Sequence, residues 1–170
     1  MSAVQDKYRK AVRRQSMLIW LECLASVLIV LAVFFNVVIG VTTVSGKSMQ
    51  PTYENGELIL FVRLVNDFDF GDIVDARMAN GDEYIKRVIG LPGQTVDIHD
   101  GAVWIDGEKL EEDYTQGVTE PSGDKVDYPL TLGEEQYFIL GDNRENSVDS
   151  RSIGPVYAAQ IKGRILELSL

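Results

Sequence analysis

Histidine and cysteine each occur once, as His99 and Cys23, and their scarcity removes whole kinds of chemistry. One cysteine forbids an internal disulfide, so the core must hold without covalent staples. A Cys/His set that could hold a metal ion is missing too, and no cofactor is expected. Basic residues are also few, with 16 Lys+Arg against 26 Asp+Glu and a formal net charge of −10. The charge is unevenly divided: residues 1–44 carry Lys7, Arg9, Lys10, Arg13 and Arg14 against Asp6 and Glu22, net +3, which leaves −13 for residues 45–170. An acidic surface repels phosphates, so nucleic acid is excluded as a partner. No internal repeat or low-complexity tract occurs, and 170 residues with 45% hydrophobic content exclude a disordered polymer.

What is present first is a long apolar run, Met17–Val41, in which Glu22 is the only formal charge. As a helix it would be about 37 Å long, enough to cross a hydrocarbon core of about 30 Å with some tilt. It exceeds the apolar region of a cleavable leader, so it reads as a retained anchor in the lipid bilayer. Five basic residues precede it and an acidic segment follows. The positive-inside bias then gives a cytoplasmic tail (residues 1–16), a transmembrane helix (17–41) and a domain outside the membrane (42–170).

Beyond the anchor the hydrophobic period becomes alternating, in short runs rich in Val, Ile, Phe and Tyr between Gly, Asn and Asp. Strands are expected over Glu57–Arg63, Asp72–Arg77, Glu83–Ile89, Thr95–Ile98, Ala102–Ile105, Gln136–Leu140 and Lys162–Leu168. His99-Asp100-Gly101 should turn a hairpin, since Asp-Gly supplies the positive φ of a tight turn. Residues 107–135, acidic and punctuated by Gly and Pro, read as a variable excursion from the sheet. The fold class is therefore mostly β, a single N-terminal transmembrane helix followed by an all-β domain.

Three segments hold residues that packing alone does not require: Ser45–Thr52, Tyr84–Gly93 and Gly141–Arg151. A hydroxyl nucleophile needs a base, but His99 lies in the expected turn and reads as a surface residue. The remaining base for a serine is a neutral lysine amine. At a pKa of about 10.4, only about one lysine in 2,500 is neutral at pH 7, so such a base must be desolvated. Lys86, among Ile85, Val88 and Ile89 on a strand, is the lysine best placed for that; Lys47 and Lys125 lie in loop-like sequence. Ser48 and Lys86 are far apart in the chain, so only tertiary structure can pair them.

Together GKSMQPT, YIKRVIGLPG and GDNRENSVDSR resemble, in order, the three motif boxes of bacterial type I signal peptidases, which are membrane-anchored serine proteases. The resemblance covers the anchor and most of residues 45–170, leaving 107–135 without a motif. It implies Ser48 as nucleophile, Lys86 as general base and Ser147 as the hydroxyl that orients the lysine. It places Asp142, Arg144, Asp149 and Arg151 where the family holds that loop, which fits a structural ion-pair network. The Ser48 amide would be the first oxyanion donor. The second is open, because Gly46 stands where some members carry a hydroxyl; Ser45, a water or a further amide could serve. The implied substrates are exported preproteins with small residues at the first and third positions before the cut. Met49, Ile85 and Val88 are candidates for lining the pockets that take them. The implied setting is the bacterial cytoplasmic membrane, with the catalytic domain outside and the protein a monomer.

Three rivals compete with that reading. Ser122 and Lys125 fit the Ser-x-x-Lys of penicillin-interacting enzymes, but Ser-Asp-Asn and Lys-Thr-Gly are both missing. Self-cleaving repressors share the Ser/Lys chemistry but carry a DNA-binding module where this chain has an apolar run. A non-catalytic tethered binding domain would have no chemical reason to hold Ser48, Lys86 and Ser147 together.

Overall fold

A computed structural model describes residues 3–78 and 81–166. It divides into two compact units, residues 1–38 and 39–170.

The first unit is the helix α1, Ala3–Val37. Residues Gln5–Val37 have a mean hydropathy of 2.6 in their most apolar stretch, with none of that stretch buried. A helix apolar on every side needs a surrounding of its own polarity, and this one is long and apolar enough to cross a membrane. It begins before the expected Met17 and ends before the expected Val41, because Ile39–Thr43 pairs as a strand instead. A β-branched run broken by a glycine suits a strand better than a helix end. Gly40 is needed there: an added Cβ would run into the Phe61 ring opposite it.

Among the described residues the second unit has eleven strands in two sheets. A seven-stranded antiparallel sheet combines β1 (Ile39–Thr43), β2 (Leu58–Val62), β3 (Ile73–Arg77), β4 (Glu83–Gly90), β9 (Gln136–Leu140), β10 (Val156–Tyr157) and β11 (Ile161–Ile165), in the order β1-β2-β11-β3-β4-β9-β10. A smaller sheet has the order β7-β6-β5-β8, from β5 (Thr95–His99), β6 (Ala102–Ile105), β7 (Glu108–Lys109) and β8 (Leu130–Thr131). All seven expected strands form, within a residue or two at their ends except the last, whose residues 167 and 168 lie outside the described residues. Asp100 and Gly101 turn the hairpin with φ of 52° and 74°. Strands β1, β7, β8 and β10 were not foreseen; three of them are two residues long, too short to show a period.

β4 sits near the middle of the large sheet, and Ile85 through Gly90 are all buried. Its side chains feed separate cores. Ile85 joins Met49, Ile59, Phe61 and Ile73, Val88 joins Phe68, Val74 and Ile139, and Ile89 joins Val96, Val103 and Phe138 between the sheets. Each such fully buried side chain contributes roughly 1.5–3 kcal/mol. Neighbouring residues of a strand point to opposite faces, yet Lys86 and Arg87 are both buried, at 3% and 8% exposure. Both succeed because loops cover the strand at this point and each cation finds partners.

Candidate active site

Ser48 follows β1 in a turn held at both ends. Val44 and Glu57 continue the β1–β2 ladder, with Val44 N donating to Glu57 O over 2.9 Å and Gly56 N to Val44 O over 2.8 Å. Between them the chain bulges out. Met49, 1% exposed, drives into the core and anchors the residue beside Ser48. Gly46, at φ +88°, donates its N–H to Asn55 Oδ1 over 2.8 Å, so that amide is committed to the loop. Ser45 is exposed.

Lys86 reaches the same place from β4. Its Nζ lies 2.8 Å from Ser48 Oγ and 2.8 Å from the Ile85 carbonyl. β9 runs beside β4 from Leu140 opposite Arg87 onward. Beyond Leu140 the chain leaves as the loop Gly141–Asp149, which leaves the flank of Lys86 to loop and turn. Burial pushes the Lys86 amine down to about 8, against the opposing pull of the Asp149 and Asp142 carboxylates. Its Nζ also lies 5.4 Å from the centre of the Tyr84 ring.

The loop after β9 closes the site. Asn143 N donates to the Ser48 carbonyl over 3.0 Å. Gly141 has to be glycine, since a Cβ there would collide with that carbonyl and with the Ser147 hydroxyl. Ser147 Oγ is buried and has no hydrogen-bond partner among the described residues; the bond to Lys86 that the resemblance implies is not formed here. The four charged residues are all buried and paired. Asp142 takes two hydrogen bonds from Arg87, 2.9 and 2.7 Å long, and one from Thr52. Asp149 takes Arg151 at 2.9 Å on each oxygen and the Gly141 amide at 3.1 Å. Arg144 reaches Glu112 and Thr119. Those two, and Tyr114 stacked 4.1 Å from the Arg87 guanidinium, come from the segment read as an excursion. Sequence reasoning missed them, because a carboxylate in an irregular acidic stretch carries no periodic signal.

A groove of about 550 Å³ opens over the pair, lined by Thr42–Met49, Asp82–Lys86, Asn146 and Val148. Met49 and Ile85 are on its wall. Val88 is not among the lining residues: fully buried, it belongs to the core cluster of Phe68, Val74 and Ile139, with β9 paired beside β4 at this point. His99 is the last residue of β5 and not part of the turn, which is made by Asp100 and Gly101; it stacks on Trp104 at 4.5 Å and is not among the residues lining the groove. Lys47 and Lys125 are exposed.

A serine hydroxyl on a lysine amine, in a groove on a β domain without a nearby histidine, is the layout of a serine hydrolase. A family model described as "Signal peptidase, peptidase S26" matches residues 17–168, and the chain belongs to that family. It is a serine endopeptidase with an N-terminal membrane anchor. Signal peptidase I S of Bacillus subtilis (strain 168) is 34% identical over 164 residues, covering 89% of this chain and 88% of the relative. Signal peptidase I of Bacillus licheniformis is 42% identical over 122 residues, 64% of each chain. Signal peptidase IB of Staphylococcus aureus is 28% identical over 170 residues, 89% of this chain and 88% of the relative. A solved signal peptidase I from Enterococcus faecalis V583 is 34% identical and covers 59% of this chain and 97% of its own, with a TM-score of 0.48.

Proposed function

We propose that the protein removes signal peptides from exported preproteins by a Ser48/Lys86 dyad working through an acyl-enzyme. The observation that carries this reading is the 2.8 Å contact between Ser48 Oγ and the Nζ of a lysine only 3% exposed. Neutral Lys86 takes the proton of Ser48 Oγ as the oxygen attacks the scissile carbonyl. The ammonium then gives that proton to the leaving amine, and the acyl-enzyme remains. Water, deprotonated by the same amine, attacks the ester and releases the new carboxylate. The Ser48 amide donates to the oxyanion. Ser147, whose buried hydroxyl has no hydrogen-bond partner among the described residues, accepts from the ammonium when Lys86 carries the proton. Asp142, Arg144, Asp149 and Arg151 hold the loop and do not touch substrate.

The groove supplies a place for an extended peptide, with Ile85 and Met49 on its wall. Small side chains before the cut would rest against these two apolar residues. Purified full-length protein in detergent should cut a preprotein once and leave a single new N-terminus. Replacing the small residue before the cut by Phe should lower the rate by roughly a hundredfold or more, since a ring does not fit a pocket shaped for a methyl. Equal cleavage of both substrates would remove the specificity assigned to the groove.

The charge split around α1 sets the orientation, with the N-terminus in the cytoplasm and residues 42–170 outside. Protease added to spheroplasts should digest the β domain. Its survival until the cells are lysed would reverse the topology.

A further inference from the structure

Residues 110–121 form hardly any regular structure, yet they run alongside the loop that closes the site. Gln116 exchanges backbone hydrogen bonds with its two sides. Its N–H donates to Asp142 O over 2.8 Å, and its carbonyl accepts from Arg144 N over 2.8 Å, a bridge centred on Asn143. Arg151 Nη1 donates to Glu120 O over 3.3 Å. The densest link is the Arg144 guanidinium. Nη2 and Nη1 donate to the two oxygens of Glu112 over 2.5 and 2.8 Å, Nη1 also donates to Thr119 Oγ1 over 2.6 Å, and Nε turns back to the Gly141 carbonyl over 3.0 Å. The Arg144 side chain is fully buried and that of Glu112 is 7% exposed. Tyr114 donates to the same carboxylate over 2.8 Å. The strap is fixed in turn to the small sheet through Leu110 N to Val103 O and Thr119 N to Gly101 O.

We propose that Glu112, supported by Thr119, is a positioning residue of the peptidase reaction: through Arg144 it holds Gly141–Asn143 against the Ser48 carbonyl and so sets Ser48 against Lys86. The path is short and continuous. Glu112 fixes the guanidinium, whose Nε fixes the Gly141 carbonyl. Gly141 abuts the Ser48 carbonyl, and Asn143 N donates to it. A bidentate carboxylate–guanidinium pair sets orientation as well as distance. Removing one partner leaves the other buried and uncompensated, so the loop must move to hydrate it. A displacement of about 1 Å between reacting groups can cost roughly a hundredfold in rate. This inference rests on the Ser48/Lys86 reading.

The test compares the full-length protein with its Glu112→Ala, Thr119→Val and Glu111→Ala variants, each measured for kcat and KM against pH below its melting transition. Around the Lys86 amine lie Ser48 Oγ, the Ile85 carbonyl, the Tyr84 ring and, through space, Asp142 and Asp149. Burial is the dominant influence on it, so a loosened loop hydrates the amine and moves the acidic limb of the rate profile to higher pH. Glu112→Ala should lower kcat roughly ten- to a hundredfold, with a smaller change in KM, and raise the midpoint of that limb by about half a pH unit or more. Thr119→Val should act in the same direction to a lesser extent, and the exposed Glu111→Ala should match wild type. The midpoint discriminates, because a variant that only unfolds more easily loses active molecules without altering the titration of those that remain. A wild-type kcat in folded Glu112→Ala, or a reduced kcat with a midpoint that stays or falls, overturns the proposal. If Glu112→Ala does not fold, Thr119→Val decides by the same two readings. Ser48→Ala, run in parallel, separates the levels: wild-type cleavage by that variant defeats the dyad reading itself, whereas an inactive Ser48→Ala beside an unchanged Glu112→Ala defeats only the role of the strap.

Discussion

Ser48→Ala should cleave a preprotein more slowly than wild type by on the order of 10⁵–10⁶-fold, with its melting transition unchanged. The hydroxyl is the only part removed, and a methyl fits the space it leaves. Met49, which carries the packing of this turn, is untouched. The Lys86 amine keeps its hydrogen bond to the Ile85 carbonyl, so the variant leaves no buried cation stranded. Substrate should still bind, because the groove walls from Thr42 to Met49 and from Asp82 to Lys86 keep their shape. The measurement is cleavage of a purified preprotein, with thermal unfolding followed on the same sample. Normal turnover by a folded Ser48→Ala protein would put the nucleophile elsewhere.

Lys86→Arg should be as inactive as Lys86→Met, a loss of several orders of magnitude on the same scale. Arginine keeps the charge and the donors but does not deprotonate in a protein. Wild-type activity should therefore rise with pH as the amine loses its proton, with the midpoint of the acidic limb near the value of about 8 to which burial pushes Lys86. The sign follows from the direction of the shift. Desolvation disfavours the ammonium, so the reactive neutral form is populated at lower pH than in water, about a tenth of molecules at pH 7. Ser147→Ala should lower kcat by roughly ten- to a hundredfold with little change in KM, as for a base that loses its orientation. Substantial turnover by purified Lys86→Arg protein would show that position 86 supplies charge and not basicity. Arg87 makes a poor neutral comparison, because it grips Asp142 in the loop that touches Ser48.

Much of this was legible in the chain itself. Alternation located the strands because one face of each is buried, and the Asp100-Gly101 hairpin was legible because few residue pairs accept two positive φ angles. The apolar run gave the helix, and the charge on either side of it gave the expected orientation. The lack of a usable histidine left lysine as the candidate base, and three motif boxes made the resemblance specific. Local sequence has no means of placing Ser48 on Lys86, 38 positions apart. That contact depends on β4 lying inside the sheet, on β9 ending at Leu140 and on Met49 finding the core. Nor could alternation tell that Val88 would be buried in the core with Phe68, Val74 and Ile139, since its chemistry suits a pocket wall as well as a core. Glu112, in a stretch with neither period nor motif, acquires its place only from a guanidinium 32 residues further along. The sequence by itself determined which segments alternate, which one is apolar enough to leave water and which side chains can carry the chemistry, because those depend on neighbours in the chain. The tertiary structure alone decided which of those side chains meet and which amine is dry enough to be neutral, because burial and pairing are set by segments that are distant in sequence.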